Sequence, residues 1–129
     1  MAVGLHAVNL ANKWLDMLAG TAFTAPAAVS WKLHTGDPGS AGTALASAEV
    51  LRKTLVWSAA ASGAKSQSGT LSWTSWVAGT ETISHLSAWD ALTAGNFLYS
   101  VALTTAKQVT NGDTLNVTAH TFTFTPMAA

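Results

Sequence analysis

The sequence predicts an all-β fold, a β-sandwich or jelly-roll-like barrel, with a short N-terminal α-helix. Apolar residues recur at helical spacing near the N-terminus. From residue 28 onward, segments rich in Thr, Val, Phe and Trp follow one another at intervals of roughly 10–15 residues, and Gly, Asn and Asp mark the turns between them. A chain of 129 residues suits a single domain over 1–129, with the helix in 1–20 and the β-sandwich in 28–126.

The predicted helix covers residues 5–19. Leu5, Val8, Leu15 and Leu18 fall near one stripe of a helix. Gly20 follows, and glycine readily adopts the left-handed backbone angles that end helices. We therefore expect Leu15 and Leu18 to pack against the sheet or against a partner chain.

The predicted strands show the alternation of half-buried β-structure. In the first of them, Val29, Trp31 and Leu33 lie on one face. Both faces of the segment 97–103 carry large apolar residues, which is typical of a central strand, and an Asn-Gly pair at 111–112 signals a hairpin turn after it. The strands before that segment are predicted at residues 29–34, 50–58, 70–77 and 82–89.

The C-terminal part of the chain predicts a change of register. Leu115 and Val117 share one parity, whereas Phe122 and Phe124 share the other. Because side chains alternate between the two faces of a strand, one uninterrupted strand cannot place both pairs on the same face. A bulge or bend is therefore expected near residues 119–120, as where a strand crosses the corner of a sandwich.

Two long polar segments are predicted outside the strands: residues 35–47 as a loop, and residues 59–69 as either a long hairpin loop or an arm. Residues 36–47 and 59–69 are expected to contact other subunits. The first contains the turn sequence Gly-Asp-Pro-Gly, and the second reads AAASGAKSQSG. Neither has the bulk to form a core, and ordering each residue costs roughly 1–2 kcal/mol, which burial against a neighbour would offset. The candidate interface residues in these loops are Asp37, Pro38, Ser62, Gly63 and Lys65.

The composition restricts the classes of function. Charged residues make up 9% of the chain, and the six basic and six acidic side chains cancel. Such a chain lacks the clustered positive charge that nucleic acids and anionic membranes require. It contains no cysteine, which excludes disulfides and thiolate metal sites. No transmembrane helix and no signal peptide are expected. The low charge favours a protein that is part of a larger assembly over one that stays a free monomer.

The sequence predicts neither an enzyme nor a cofactor or metal site. It has no GxSxG, HExxH or GxxxxGK[ST] motif. Three acidic residues sit beside turn residues, where aspartate commonly caps the backbone, and three histidines lie on predicted strands without metal-ligand spacing. These residues are Asp37, Asp90, Asp113, His34, His85 and His120.

Five of the six tryptophans fall into two groups. Trp31, Trp57 and Trp73 are in phase with apolar neighbours and are expected in the core. Trp76 and Trp89 lie near strand ends and are predicted as interface anchors, because tryptophan is enriched at interface hot spots. The alternative for the second group is stacking against a sugar or another small ligand.

Six short motifs follow one another along nearly the whole chain. They are NKWLDMLAG at 12–20, TAFTAP at 21–26, LHTGDPG at 33–39, ISHLSAWDA at 83–91, a run from GNFL to Lys at 95–107 and GDTLNV at 112–117. In this order they resemble a family of small virion proteins from tailed phages of actinobacteria, usually labelled tail-fibre-like or minor structural proteins. The segment VLRKTL at 50–55 departs from that family, because it keeps an arginine but lacks the aromatic residue of the corresponding strand.

The resemblance implies a non-enzymatic protein of the virion, assembled in the host cytoplasm. Together with the small size and low charge, it leads to the hypothesis of a capsid decoration (cement or minor capsid) protein that binds the outer shell as a homo-oligomer, with three copies expected. Its other partners would be virion proteins such as the major capsid or tail protein. The alternatives are a minor tail, tail-fibre or baseplate component and, in another class, a carbohydrate- or small-ligand-binding β-module. A hydrolase is the weakest alternative.

Overall fold

The computed structural model describes residues 3–125. The ends of the predicted domain, residues 1–2 and 126–129, lie outside this range, and its extent as one domain stays a prediction. Strands account for 37% of the structure and helices for 11%, so the all-β fold with a short N-terminal helix is confirmed. The strands are β1 (Ser30–His34), β2 (Lys53–Thr54), β3 (Ala64–Ser66), β4 (Leu71–Trp73), β5 (Glu81–Trp89), β6 (Phe97–Val109), β7 (Leu115–Val117) and β8 (Thr121–Thr123).

The N-terminal helix is shorter than predicted and irregular. A π-helical turn (Ala7–Ala11) leads into α1 (Asn12–Asp16), which tightens into a 3₁₀ turn (Met17–Ala19). Leu5 lies outside the helix, because it forms a β-bridge with Tyr99. The helix ends as predicted at Gly20, whose φ of 83° is left-handed.

The prediction that Leu15 and Leu18 pack against the sheet is wrong. Leu15 is 63% exposed and Leu18 is 88% exposed. Leu10 and Trp14, four residues apart and therefore on one face of the helix, pack against the core instead. Packing of Leu15 and Leu18 against a partner chain stays open.

The main sheet has the strand order β2-β1-β5-β6, with each neighbouring pair antiparallel. The predicted strand at 82–89 matches β5 within one residue. The strand predicted at 97–103 continues to residue 109, and the one predicted at 50–58 is reduced to β2 and an isolated bridge at Trp57. β6 is an edge strand by sheet order, although Gly4 and His6 hydrogen-bond to its outer side at Ser100 and Leu98.

Two small sheets explain the predicted register change near residue 119. β7 pairs with β4, whereas β8 pairs with β3. The chain therefore leaves one sheet after Val117 and enters another at Thr121, which allows both segments to contribute to the core. The predicted turn at 111–112 is present, but it joins β6 to a strand of another sheet, so it does not form a hairpin.

The core is built from large side chains of the main sheet and the β4–β7 pair. Trp31, Leu33 and Ile83 are fully buried, and Trp73 and Leu115 pack with them across the sheets. The predicted core positions Trp31 and Trp73 are thus confirmed, whereas Trp57 is half-buried at the edge of the core. Within residues 3–125, no helix is long and apolar enough to span a membrane.

Candidate functional site

The two tryptophans predicted as interface anchors lie inside the protein. Trp76 is 1% exposed, and its indole N–H donates to the carbonyl of Gly79 at 2.8 Å. Trp89 is 8% exposed, and the guanidinium of Arg52 covers its ring at 4.2 Å from the centroid. Neither side chain offers an open ring face to a partner or to a sugar.

The segment 59–69 is a hairpin rather than a flexible loop. Ala61 and Ala64 exchange two backbone hydrogen bonds of 2.9 Å around Ser62 and Gly63. Both central residues have positive φ, 49° and 69°, as the two-residue turns of β-hairpins require. Lys65 on the following strand pairs with Phe122 of β8, so the turn projects from an ordered pair of strands.

The segment 35–47 is a loop, as predicted, and the protomer itself orders it. A carboxylate oxygen of Asp37 accepts from the backbone N–H of Gly39 at 2.8 Å, and Pro38 is fully buried. Gly42 lies so close to the ring of Phe97 that a Cβ atom there would collide with it. The candidate residues Asp37 and Pro38 therefore have intramolecular roles, and their predicted role as contact residues remains a proposal.

A buried chain of hydrogen bonds ties this loop to the main sheet. The indole N–H of Trp89 donates to Ser87 Oγ at 2.8 Å, and Ser87 Oγ lies 2.7 Å from His34 Nε2. His34 Nδ1 lies 2.8 Å from the carbonyl of Ala44, which can only accept, so Nδ1 carries the proton and Ser87 donates to Nε2. Since Ser87 and His34 are both fully buried, the pair holds the loop and offers no access to a substrate.

An apolar groove lies on the surface beside the N-terminal helix. We call it the aromatic groove. Its volume is about 480 Å³, within the range of ligand pockets. The helix forms one wall, the connector after it a second, and the β3–β8 pair a third. The large side chains that line it include Leu10, Trp14, Phe23, Trp57, Tyr99 and Phe122.

Edge-to-face contacts hold the aromatic rings of the groove in place. Trp14 meets Phe122 at 5.4 Å and Phe124 at 5.1 Å between ring centroids, and Tyr99 meets Phe122 at 5.4 Å. This geometry suits the quadrupoles of the rings. The contacts join the helix to the C-terminal strand, so the shape of the groove depends on both ends of the described chain.

The groove is nearly free of charge. The hydroxyl of Tyr99 shares a hydrogen bond of 3.2 Å with Nε2 of His120. This hydroxyl therefore already has a hydrogen-bond partner within the protein. Burial raises the pKa of Tyr99 and lowers the pKa of His120, which favours the neutral form of both at pH 7. Lys65 is the charged residue of the lining, and its ammonium donates to the carbonyl of Ser58 at 2.9 Å.

The groove brings together two of the predicted interface residues, Gly63 and Lys65. It does not include Trp76, Trp89 or the loop at 35–47. Sequence reasoning missed the aromatic lining, although the spacing of Leu10 and Trp14 by four residues indicated a common helix face. Among residues 3–125, no group of three or more His, Asp or Glu side chains is placed to hold a metal ion.

The fold and the groove define a class of protein: a small β-rich module with an apolar groove on its surface. The profile of a family described as Podophage GP4 fiber I protein gp80 matches residues 7–125, and the chain belongs to this family. It is therefore a structural protein of the phage virion, of the fibre kind. No curated protein matches the chain. The narrower assignment to proteins of actinobacterial phages stays a prediction.

Proposed function

We propose that this protein is a structural module of a phage tail fibre that assembles with copies of itself and with other virion proteins. The observation that carries the proposal is the family match, which spans residues 7–125 and whose description names a fibre. It favours the tail-fibre alternative over the capsid decoration to which the resemblance, the small size and the low charge led.

The surface of the chain supports assembly through apolar contacts. Six basic and six acidic residues are too few to build an ionic interface, whereas the cores of interfaces are depleted of charge and rich in aromatic groups. The aromatic groove and the exposed leucines of the helix provide such surfaces. Sedimentation of the purified protein should therefore show an oligomer that persists in high salt.

The alternative of a carbohydrate-binding module was based on two tryptophans that the structure does not expose. Trp76 and Trp89 are buried. The aromatic groove lacks the array of hydrogen-bonding groups that a sugar needs beside a stacking ring, because the hydroxyl of Tyr99 is bonded to His120. A structural role in the fibre requires only apolar contacts at the groove and no hydrogen bonds to a ligand.

The location and copy number in purified virions test the proposal. Immunogold labelling should place the protein on the tail, and quantitative mass spectrometry against the major capsid protein should give a low copy number. Labelling over the whole shell with hundreds of copies would instead support capsid decoration and refute the fibre assignment. An antibody to the major capsid protein is the control for access to the particles.

A further inference from the structure

The aromatic groove requires an apolar occupant. Its volume of about 480 Å³ is large enough to hold several water molecules. Because the lining is apolar and the Tyr99 hydroxyl is bonded to His120, these waters find few hydrogen-bond partners on the protein. Filling the groove with apolar side chains releases them, which is favourable.

The same chain carries an exposed apolar surface, the leucine ridge, formed by Leu15 and Leu18. These side chains are three residues apart where the helix tightens into its 3₁₀ turn, a geometry that brings positions i and i+3 into line. They are 63% and 88% exposed and are absent from the lining of the groove. Leu10 and Trp14 of the same helix line the groove, whereas Leu15 and Leu18 do not, so the ridge lies outside the groove of its own copy.

We propose that the leucine ridge of one copy inserts into the aromatic groove of a second copy, an inference that rests on the proposed assembly of the fibre. A groove cannot fill a second groove, so self-pairing of this surface would leave the cavity empty. The leucine ridge instead presents exposed apolar side chains that such a cavity can accept.

The charges beside the two surfaces are also complementary. Asp16 adjoins the ridge, is exposed and forms no ion pair within the described part of the chain. Lys65 is the charged residue at the groove. An ion pair between Asp16 of one copy and Lys65 of the next would lie at the rim, where such pairs set orientation more than strength.

The contact has a consequence for symmetry. Because ridge and groove are different surfaces, each copy uses both, and the interface is heterologous. Such contacts either close into a ring or extend without limit. A ring of three copies is one closed solution and agrees with the expected number of copies.

Two substitutions on opposite sides of the interface test the inference. Leu18→Glu places a charge on the ridge at a position that is 88% exposed, so folding should be unaffected. Ala60→Trp adds bulk at an exposed position that lines the groove. Each should weaken association at least roughly tenfold, the equivalent of burying one leucine. The controls Leu92→Glu and Ala106→Trp, at exposed positions outside both surfaces, should associate like the wild type.

Mixing the two variants distinguishes this contact from other modes of association. The Leu18→Glu chain keeps its groove and the Ala60→Trp chain keeps its ridge, so native mass spectrometry of an equimolar mixture should show complexes of two chains and none larger. Because the chain contains no cysteine, Leu18→Cys and Ala60→Cys variants, mixed and oxidised, should give a mixed disulfide-linked dimer in preference to dimers of either variant alone.

The inference is overturned if either Leu18→Glu or Ala60→Trp associates like the wild type, or if the wild-type protein remains monomeric up to millimolar concentration. It is also overturned if the cysteine variants cross-link without preference. None of these results affects the location of the protein on the virion, which labelling and copy number determine separately.

Discussion

Ser87→Ala should be strongly destabilising, because one hydroxyl supports two other buried polar groups. Ser87 Oγ accepts from the indole N–H of Trp89 at 2.8 Å and donates to His34 Nε2 at 2.7 Å. Removing it leaves both groups unpaired in a region where Ser87 and His34 have no exposed surface. Each buried, unsatisfied group costs about 1–3 kcal/mol, so the expected loss of unfolding free energy for the two groups is about 2–6 kcal/mol.

Ser100 provides a matched control for this substitution. It lies directly opposite Ser87 in the β5–β6 pair and is also buried. Its hydroxyl receives only a long bond of 3.4 Å from the backbone N–H of Gly4, so Ser100→Ala should cost less than about 1 kcal/mol. Urea unfolding at pH 7.5 measures both losses, and the m-value should not change. Equal losses for the two variants would refute the stabilising role of the hydrogen bonds that join Trp89, Ser87 and His34.

Two further predictions concern the same region of the fold. Burial lowers the pKa of His34 below its ordinary value of 6.5, so the unfolded chain binds the proton first, and the melting temperature should fall as pH decreases from 7.5 to 5. A melting temperature that rises over this range would contradict the sign, and a His34→Gln variant should show a shallower pH dependence. Gly42→Ala should destabilise the loop at 35–47 by at least about 1 kcal/mol, because Gly42 has a φ of 71° and an added Cβ atom would meet the ring of Phe97. Gly69→Ala has a similar φ of 77° without a neighbour, so it isolates the backbone strain, and an equal loss for both variants would show that the ring contact contributes nothing.

Local patterns in the sequence predicted the features that depend on local physics. The alternation in residues 82–89 predicted β5 within one residue, and Gly20 marked the end of the helix. The parity change between Val117 and Phe122 predicted the step between two sheets. In each case, neighbouring residues along the chain determine the structure.

Features that depend on distant neighbours were not predictable in this way. Trp89 is buried because Arg52, from another part of the chain, covers its ring, and its position at a strand end contained no sign of this contact. The aromatic groove joins Trp14 to Phe122 across more than a hundred residues. By contrast, the Ser-Gly pair at 62–63 is a turn signal, and it favours the hairpin over the arm that the composition of 59–69 also allowed.

The N-terminal helix connects the fold with the proposed assembly. Its helical stretch of 13 residues is short enough to be marginal in water by itself, so its stability must come from packing. Inside the protomer, Leu10 and Trp14 supply that packing on one side. The proposed contact would cover Leu15 and Leu18, which are exposed in the protomer, so association and ordering of the helix would reinforce each other. Trp14 also fixes the ring of Phe122. A helix that is ordered by one neighbouring copy therefore keeps the groove of its own copy in the shape that binds a further copy. Ridge and groove are therefore expected to be coupled, and the affinity of the second contact in a growing complex should exceed that of the first.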